Sequence, residues 1–289
     1  MTAEMKVEDI SKYNLDLILP VSLILLAELL IFLGNSSAAM NVHAVNLVLL
    51  ILSSIYINNR IYPALMLMPL FRLLNVAMPV FFSLTLYSYS LVYAPMFIPI
   101  YFIMKDGFIS RSEAGLTTDG FWLYAPLAVS IGFAIGWGEY NVIHPQILTP
   151  GDDIKNVLIL VITMIFFVGL VEEFIFRSSL QTVLEARLGP KAGLILASVI
   201  FGFMHSGYHL PLELLYVTLA GMVFGLLFWM SKSLPVISLA HGVTNISLFL
   251  ITPLDAGLLI YLIAVPAMIF VFYAYVFKRI SGRAGIDKG

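Results

Sequence analysis

The chain has 289 residues, of which 61% are hydrophobic and only 11% charged, with a net charge of −2. A soluble domain carries about 25% charged residues, so this composition predicts an integral membrane protein, and with no polybasic surface it argues against nucleic acid as a partner. There is no cysteine, which excludes disulfides, thiol catalysis, thiolate metal sites and S-acylation of this chain.

Met1–Tyr13 is polar and mixed in charge. It lacks the basic start and small-residue cleavage site of a removable signal, so the first span is expected to be retained. That span is Leu15–Leu33, with Glu28 inside it as a lone acid. Val42–Ile57 follows, rather short against the ~20 residues that a bilayer needs. Arg60–Asn75 carries two arginines and two prolines among apolar residues. It reads as an interfacial or re-entrant segment, or as part of a further kinked span, with Arg60 and Arg72 as interface anchors. Val76–Met104 is apolar but broken by Pro79, Pro95 and Pro99, Lys105–Asp119 is polar, and Phe121–Gly138 is the next span. Glu139–Asp153 reads as a loop. Ile154–Leu188, Lys191–His209, Leu212–Met230, Pro235–Ile251 and Ala256–Phe277 are then apolar stretches before a basic tail. The expected fold is an all-α polytopic membrane bundle of about eight to ten transmembrane helices. It divides into an N-terminal region 1–153, a four-helix catalytic core 154–252, and a last helix and tail 253–289.

Lysine and arginine favour cytoplasmic loops. Lys278, Arg279, Arg283 and Lys288 therefore put the C-terminus of this multi-pass cell-membrane protein in the cytoplasm. Counting back puts Lys232, Arg187, Lys191, Lys105 and Arg111 on that side, and Asp255, Asp152 and Asp153 on the other. By this count Glu172 falls in the cytoplasm-proximal part of its own helix.

Glu172, Glu173 and Arg177 stand in an otherwise long apolar run. A charge at the centre of such a helix costs about 2.5–3.5 kcal/mol on insertion scales, so each needs a partner or water. Glu173 and Arg177 are four apart and share a face, whereas Glu172 lies about 100° round the helix. One carboxylate is thus expected to be held by arginine and the other to be free for chemistry. The next helix carries Phe201 and His205, and a later one His241 and Asn245, again four apart. Rows of small residues, Gly193 and Ala197, Ser198, Gly202 and Ser206, Gly221 and Gly225, allow these helices to approach closely. A neutral histidine accepts a proton near physiological pH, and an asparagine amide or histidine N–H donates to a developing oxyanion. This is a hydrolase's equipment with water as the attacking group, since no motif places a serine, cysteine or threonine nucleophile.

Glu-Glu-x-x-x-Arg at 172–177, Phe-x-x-x-His at 201–205 and His-x-x-x-Asn at 241–245 fall in this order on membrane helices. Together they resemble the three motifs of the CAAX protease and bacteriocin-processing (abortive-infection) family, related to the Ras-converting CAAX prenyl endopeptidases. The resemblance implies a membrane-embedded endopeptidase in which Glu172 and His205 activate water and His241 with Asn245 forms the oxyanion hole. Glu173 and Arg177 would be supporting residues, and Phe201 would pack beside the site. It also implies a cavity open toward the cytosol and the membrane, and a membrane-associated, lipidated peptide or protein substrate such as a prenylated C-terminus. A glutamate-type mechanism without a metal cofactor is expected, because no His-Glu-x-x-His is present and catalytic zinc would still need a base. Zinc, if used, would be held by Glu172, His205 and His241.

Blander readings stand beside these. The Glu173–Arg177 pair reads as structural. His209 lies four residues after His205, but Tyr208-His209-Leu210-Pro211 reads as a span end, which makes His209 interfacial. His43 and His144 are expected at the surface. A non-catalytic peptide-binding scaffold or immunity protein of the same fold would show a lost motif residue, and none is lost. A proton-coupled transporter would show paired broken helices or an internal repeat, and no matching half is present.

Overall fold

The computed structural model describes residues 14–81, 86–145 and 153–254, together with Tyr275. Met1–Tyr13 and, Tyr275 apart, the expected last span and basic tail lie outside the described residues. Those that are described form helices and no strand. In chain order they are α1 (Leu15–Phe32), α2 (Ser36–Tyr56), α3 (Ile61–Phe81), α4 (Leu86–Tyr93), α5 (Phe97–Lys105) and α6 (Phe121–Ile143). Then come α7 (Ile154–Leu188), α8 (Pro190–Phe203), α9 (Pro211–Ser231) and α10 (Leu234–Ile246), the last prolonged to Ile251 by a wider π-helical turn. Six of these, α1, α2, α6, α7, α9 and the prolonged α10, are long and apolar enough to cross a membrane. Large apolar side chains such as Leu29, Ile55, Leu212 and Leu219 point outward, as a bundle surrounded by lipid requires. This is an all-α polytopic membrane bundle.

Three expected boundaries are corrected. α2 is 21 residues long rather than short, because Asn35 caps its start by accepting from the Ala38 N–H. The Arg60–Asn75 stretch is no interfacial segment: α3 runs through it, with Leu65, Leu67 and Met68 fully buried. α6 does not stop at Gly138 but continues to Ile143, because Tyr140 and Ile143 extend its core-facing stripe. Glu139 is thereby carried into the bundle, 7% exposed.

Close helix contacts depend on the small residues. A Cβ at Gly202 of α8 would collide with Thr218 of α9. At Gly221 of α9 a Cβ would press on the Phe201 ring at 3.0 Å and on the Arg177 guanidinium at 3.2 Å.

The two ends of the bundle differ in charge. At one end, Arg187 donates to Asp16 (3.0 Å) and Asn59 to Asp16 (2.8 Å). There too Arg60 donates to the Phe108 carbonyl (2.6 Å) and to Glu113 (2.7 Å). The Leu234 N–H reaches the Gly115 carbonyl (2.8 Å), which brings the α9–α10 connection to the same end. Arg60, Lys105, Arg111, Arg187, Lys191 and Lys232 all belong to this basic end. The opposite end is marked by the His209 Nδ1–H, which donates to the Phe32 carbonyl at the close of α1 (2.9 Å). Among the described residues Lys155 is its one lysine or arginine.

Candidate active site

Helix α7 carries the acidic pair between two π-helical stretches, Thr163–Gly169 and Phe174–Gln181. Wide turns of this kind often mark functional positions in helices. Arg177 Nε donates to Glu173 Oε2 at 3.2 Å, with both side chains fully buried. The other side of the guanidinium lies over the Phe201 ring, 5.0 Å from its centroid, in the space left by Gly221.

Glu173 has a second partner. Its Oε1 accepts from Nδ1 of His241, 2.7 Å away. Because a carboxylate only accepts, Nδ1 carries the hydrogen, and Nε2 points to Glu172 Oε2 at 3.7 Å. The imidazole is clamped by rings as well: Phe224 stacks on it at 5.2 Å and Phe201 meets it edge-on at 5.9 Å. Glu173 therefore does more than hold a helix in place, since it fixes the ring plane and tautomer of a histidine three helices further along the chain. Asn245, one turn after His241, lines the same cavity.

His205 follows the end of α8, in the short connection to α9. Its Nδ1–H donates to the Phe201 carbonyl at 3.0 Å, so in the neutral ring Nε2 keeps its lone pair. The residues on either side of it are tied to the N-terminal helices. Arg72 of α3 donates to the Met204 carbonyl and makes a two-pronged contact with Glu28 of α1, at 2.7 and 2.6 Å. The Ser206 hydroxyl donates to Glu28 at 2.6 Å, and His43 of α2 reaches it at 3.2 Å. Glu28 is thus not a lone acid, Arg72 is not an interface anchor, and His43 is buried rather than on the surface. Arg60 is half-exposed and paired with Glu113, and His144 lies on the surface at the end of α6.

Glu172 is 6% exposed and accepts from the Tyr93 hydroxyl of α4 on Oε1. It borders a cavity of about 340 Å³ whose walls include Arg72, Asn75, Tyr89, Tyr93 and His205. A smaller recess of about 70 Å³ adjoins it through shared walls and brings in Glu139, His241 and Asn245. Glu172, His205, His241 and Asn245 therefore meet around one space, with Phe201 behind them, while His209 lies apart. Sequence reasoning missed Tyr93, Glu139 and the Glu28–Arg72 pair. The signals that could have found them were two tyrosines four apart (Tyr89, Tyr93) and two intramembrane charges of opposite sign, each otherwise without a partner.

Among the described residues no group of three or more His, Asp or Glu side chains is placed to hold a metal ion. The bonds that hold these residues, from His241 Nδ1 to Glu173, His205 Nδ1 to a carbonyl and Tyr93 to Glu172 Oε1, leave Nε2 of each histidine and Oε2 of Glu172 facing the shared space.

The family described as Type II CAAX prenyl endopeptidase Rce1-like matches residues 154–247. No curated protein and no solved structure matches the chain. The matched segment begins with α7 and ends within the prolonged α10, so it contains all three motifs and excludes Glu28, Arg72, Tyr93 and Glu139. Residues 154–247 are thus similar to the CAAX protease family of membrane-embedded peptidases, in agreement with the three motifs.

Proposed function

We propose that the protein is a glutamate-type endopeptidase that hydrolyses a peptide bond in a membrane-associated segment, using water and no metal. The catalytic core is taken as residues 154–252. Glu172 removes a proton from water, and Nε2 of His205 accepts the other hydrogen bond and aims the oxygen at the carbonyl carbon. The tetrahedral oxyanion is held by Asn245 and His241. To donate through Nε2, His241 must carry both ring protons, and the carboxylates of Glu172 and Glu173 on either side suit that form. The C–N bond then breaks, and the proton taken from water passes to the leaving amine. The observation that carries this reading is the unsaturated Glu172 carboxylate, bordering one cavity with the free nitrogen of His205.

The basic end of the bundle is taken as cytoplasmic, together with the C-terminal tail, in a cell membrane. A prenylated C-terminus is the substrate that the resemblance implies, and it is the natural first probe. The test is cleavage of a farnesylated CAAX peptide and its unmodified counterpart by purified protein in detergent, wild type beside Glu172→Gln, with and without a chelator. Cleavage abolished by the substitution and insensitive to the chelator is expected. Loss with the chelator would overturn the metal-free mechanism, and equal cleavage by Glu172→Gln would overturn the role of Glu172.

A further inference from the structure

Glu139 borders the same recess as Glu172, His241 and Asn245 but stands outside the matched segment. It projects from α6 where that helix packs on the start of α9. Gly138 allows the close approach: a Cβ there would strike the Tyr216 hydroxyl, which donates to the Ile135 carbonyl at 2.8 Å. Glu213 lies three residues before Tyr216, on the same face of α9. Its carboxyl faces that of Glu139 at hydrogen-bonding range. Glu213 is fully buried, and Glu139 nearly so.

Two ionised carboxylates offer only acceptors. Among the described residues no N–H or O–H reaches either oxygen of Glu213, so a bond between the two acids needs a proton on one of them. Like charges at this range do not both ionise in a buried site. Glu213 stands in the first turn of α9, where the helix dipole favours a carboxylate. The shared proton is thereby left on Glu139, on the wall of the recess.

We infer that Glu139 is the general acid that protonates the leaving amine, and that Glu213 is the positioning residue that holds its proton in place. This rests on the peptidase reading. Glu172 and His205 attend the water oxygen, and His241 with Asn245 the oxyanion, which leaves the amide nitrogen without a donor among those four. Tyr89 and Tyr208 also border the recess, but a phenol, with an ordinary pKa of about 10, is the weaker acid at neutral pH. As the C–N bond breaks, its electron pair stays on nitrogen and takes up the Glu139 proton, while the oxyanion closes to the carbonyl of the new acid. The proton that Glu172 took from water then returns to the Glu139–Glu213 pair. The net change is one water added across the peptide bond.

The test separates protonation of the leaving group from attack by water. Purified protein in detergent is given a farnesylated CAAX peptide and a copy whose scissile amide is replaced by a thioester, because a thiolate leaves without a proton and an amine does not. Glu139→Gln should lower kcat for the amide by about 10²–10⁴-fold, and for the thioester by far less. Glu213→Gln should show the same preference at smaller size, and it reads the step if Glu139→Gln does not fold. Glu172→Gln, which removes the base, should lower both. Equal losses on the two substrates in Glu139→Gln would mark a merely structural pair and overturn the proposal, as would unchanged cleavage of the amide. Either result beside wild-type cleavage keeps the peptidase reading, whereas wild type inert toward both substrates would remove that reading and the general acid with it.

Discussion

Glu28 and Glu172 are both buried glutamates with a histidine at hand, yet their oxygens are satisfied to very different degrees. Glu28 receives two guanidinium contacts from Arg72, the Ser206 hydroxyl and His43, and is fully buried. Glu172 has the Tyr93 hydroxyl on one oxygen, His241 at 3.7 Å from the other, and a cavity beside it. Glu173 stands between them, bonded to Arg177 and His241 and closed to the cavity. A saturated carboxylate fixes helices, whereas an unsaturated one keeps capacity for water. Position in the membrane does not distinguish the two; the number of donors around each does.

The sharpest way to break this contrast is Glu172→Gln. General acid–base groups contribute about 10²–10⁴-fold, so peptide cleavage should fall by about 10³-fold while the melting temperature in detergent stays near wild type. Arg72→Met should act in the opposite sense. It leaves Glu28 with Ser206 and His43 but without its arginine, and breaking a buried pair costs about 3–5 kcal/mol, so the yield of folded protein in detergent should collapse. Adding Glu28→Gln should recover most of that stability, measured as melting temperature. Cleavage would remain impaired, because the Met204 carbonyl loses its anchor beside His205.

Glu173→Gln should lie between these extremes. It loosens Arg177 and removes the ionised partner of His241, so both readouts should move: about 10²-fold in kcat and about 1–3 kcal/mol in stability. Equal losses of stability and activity in Glu172→Gln and Glu173→Gln would end the division of labour. Tyr93→Phe tests a residue that the family match does not cover. A hydrogen bond to a charged group contributes about 1.5–3 kcal/mol, so a stability loss of at most about that size is expected, together with about a 10-fold fall in kcat if the same bond positions Glu172 in the reaction.

The smallest effect belongs to Glu113, outside the spans. Burial alone would raise its pKa, but the Ser110 hydroxyl and N–H and the Arg60 guanidinium outweigh that and hold it below the ordinary 4.5. Its stabilisation of the α5–α6 connection is therefore complete above the ordinary value and is lost as pH falls through the lowered one. Comparing melting temperatures of wild type and Glu113→Gln should show a small difference above the ordinary 4.5 that shrinks as the pH is taken below it.

Much of this was legible in the sequence, and what was not has a common cause. Glu173 with Arg177 needed only a spacing of four on one helix, and the apolar runs of α1, α7 and α9 needed only length and hydropathy. Glu28, Arg72 and His43 were misread because their partners lie on three different helices and in the α8–α9 turn, and local sequence does not say which helices meet. The end of α6 was misplaced for a related reason: Glu139 looks like the start of a polar loop unless the cavity it faces is known. His241 could be matched to a motif, but its bond to Glu173 follows only from the packing of α10 against α7.

The clamp around Glu28 also bears on how the protein is made. α1 enters the membrane with a glutamate whose arginine is 44 residues further along the chain, and the last contributors, Met204 and Ser206, are 132 residues beyond Arg72 and 178 beyond Glu28. Until α3 has been synthesised the charge on α1 lacks its counterion, which costs about 2.5–3.5 kcal/mol if it sits at the bilayer centre. Until α8 is in place His205 has no anchor. His205 is thus set only when most of the chain has been translated and inserted, so the growing polypeptide passes the ribosome and translocon with its candidate site unassembled.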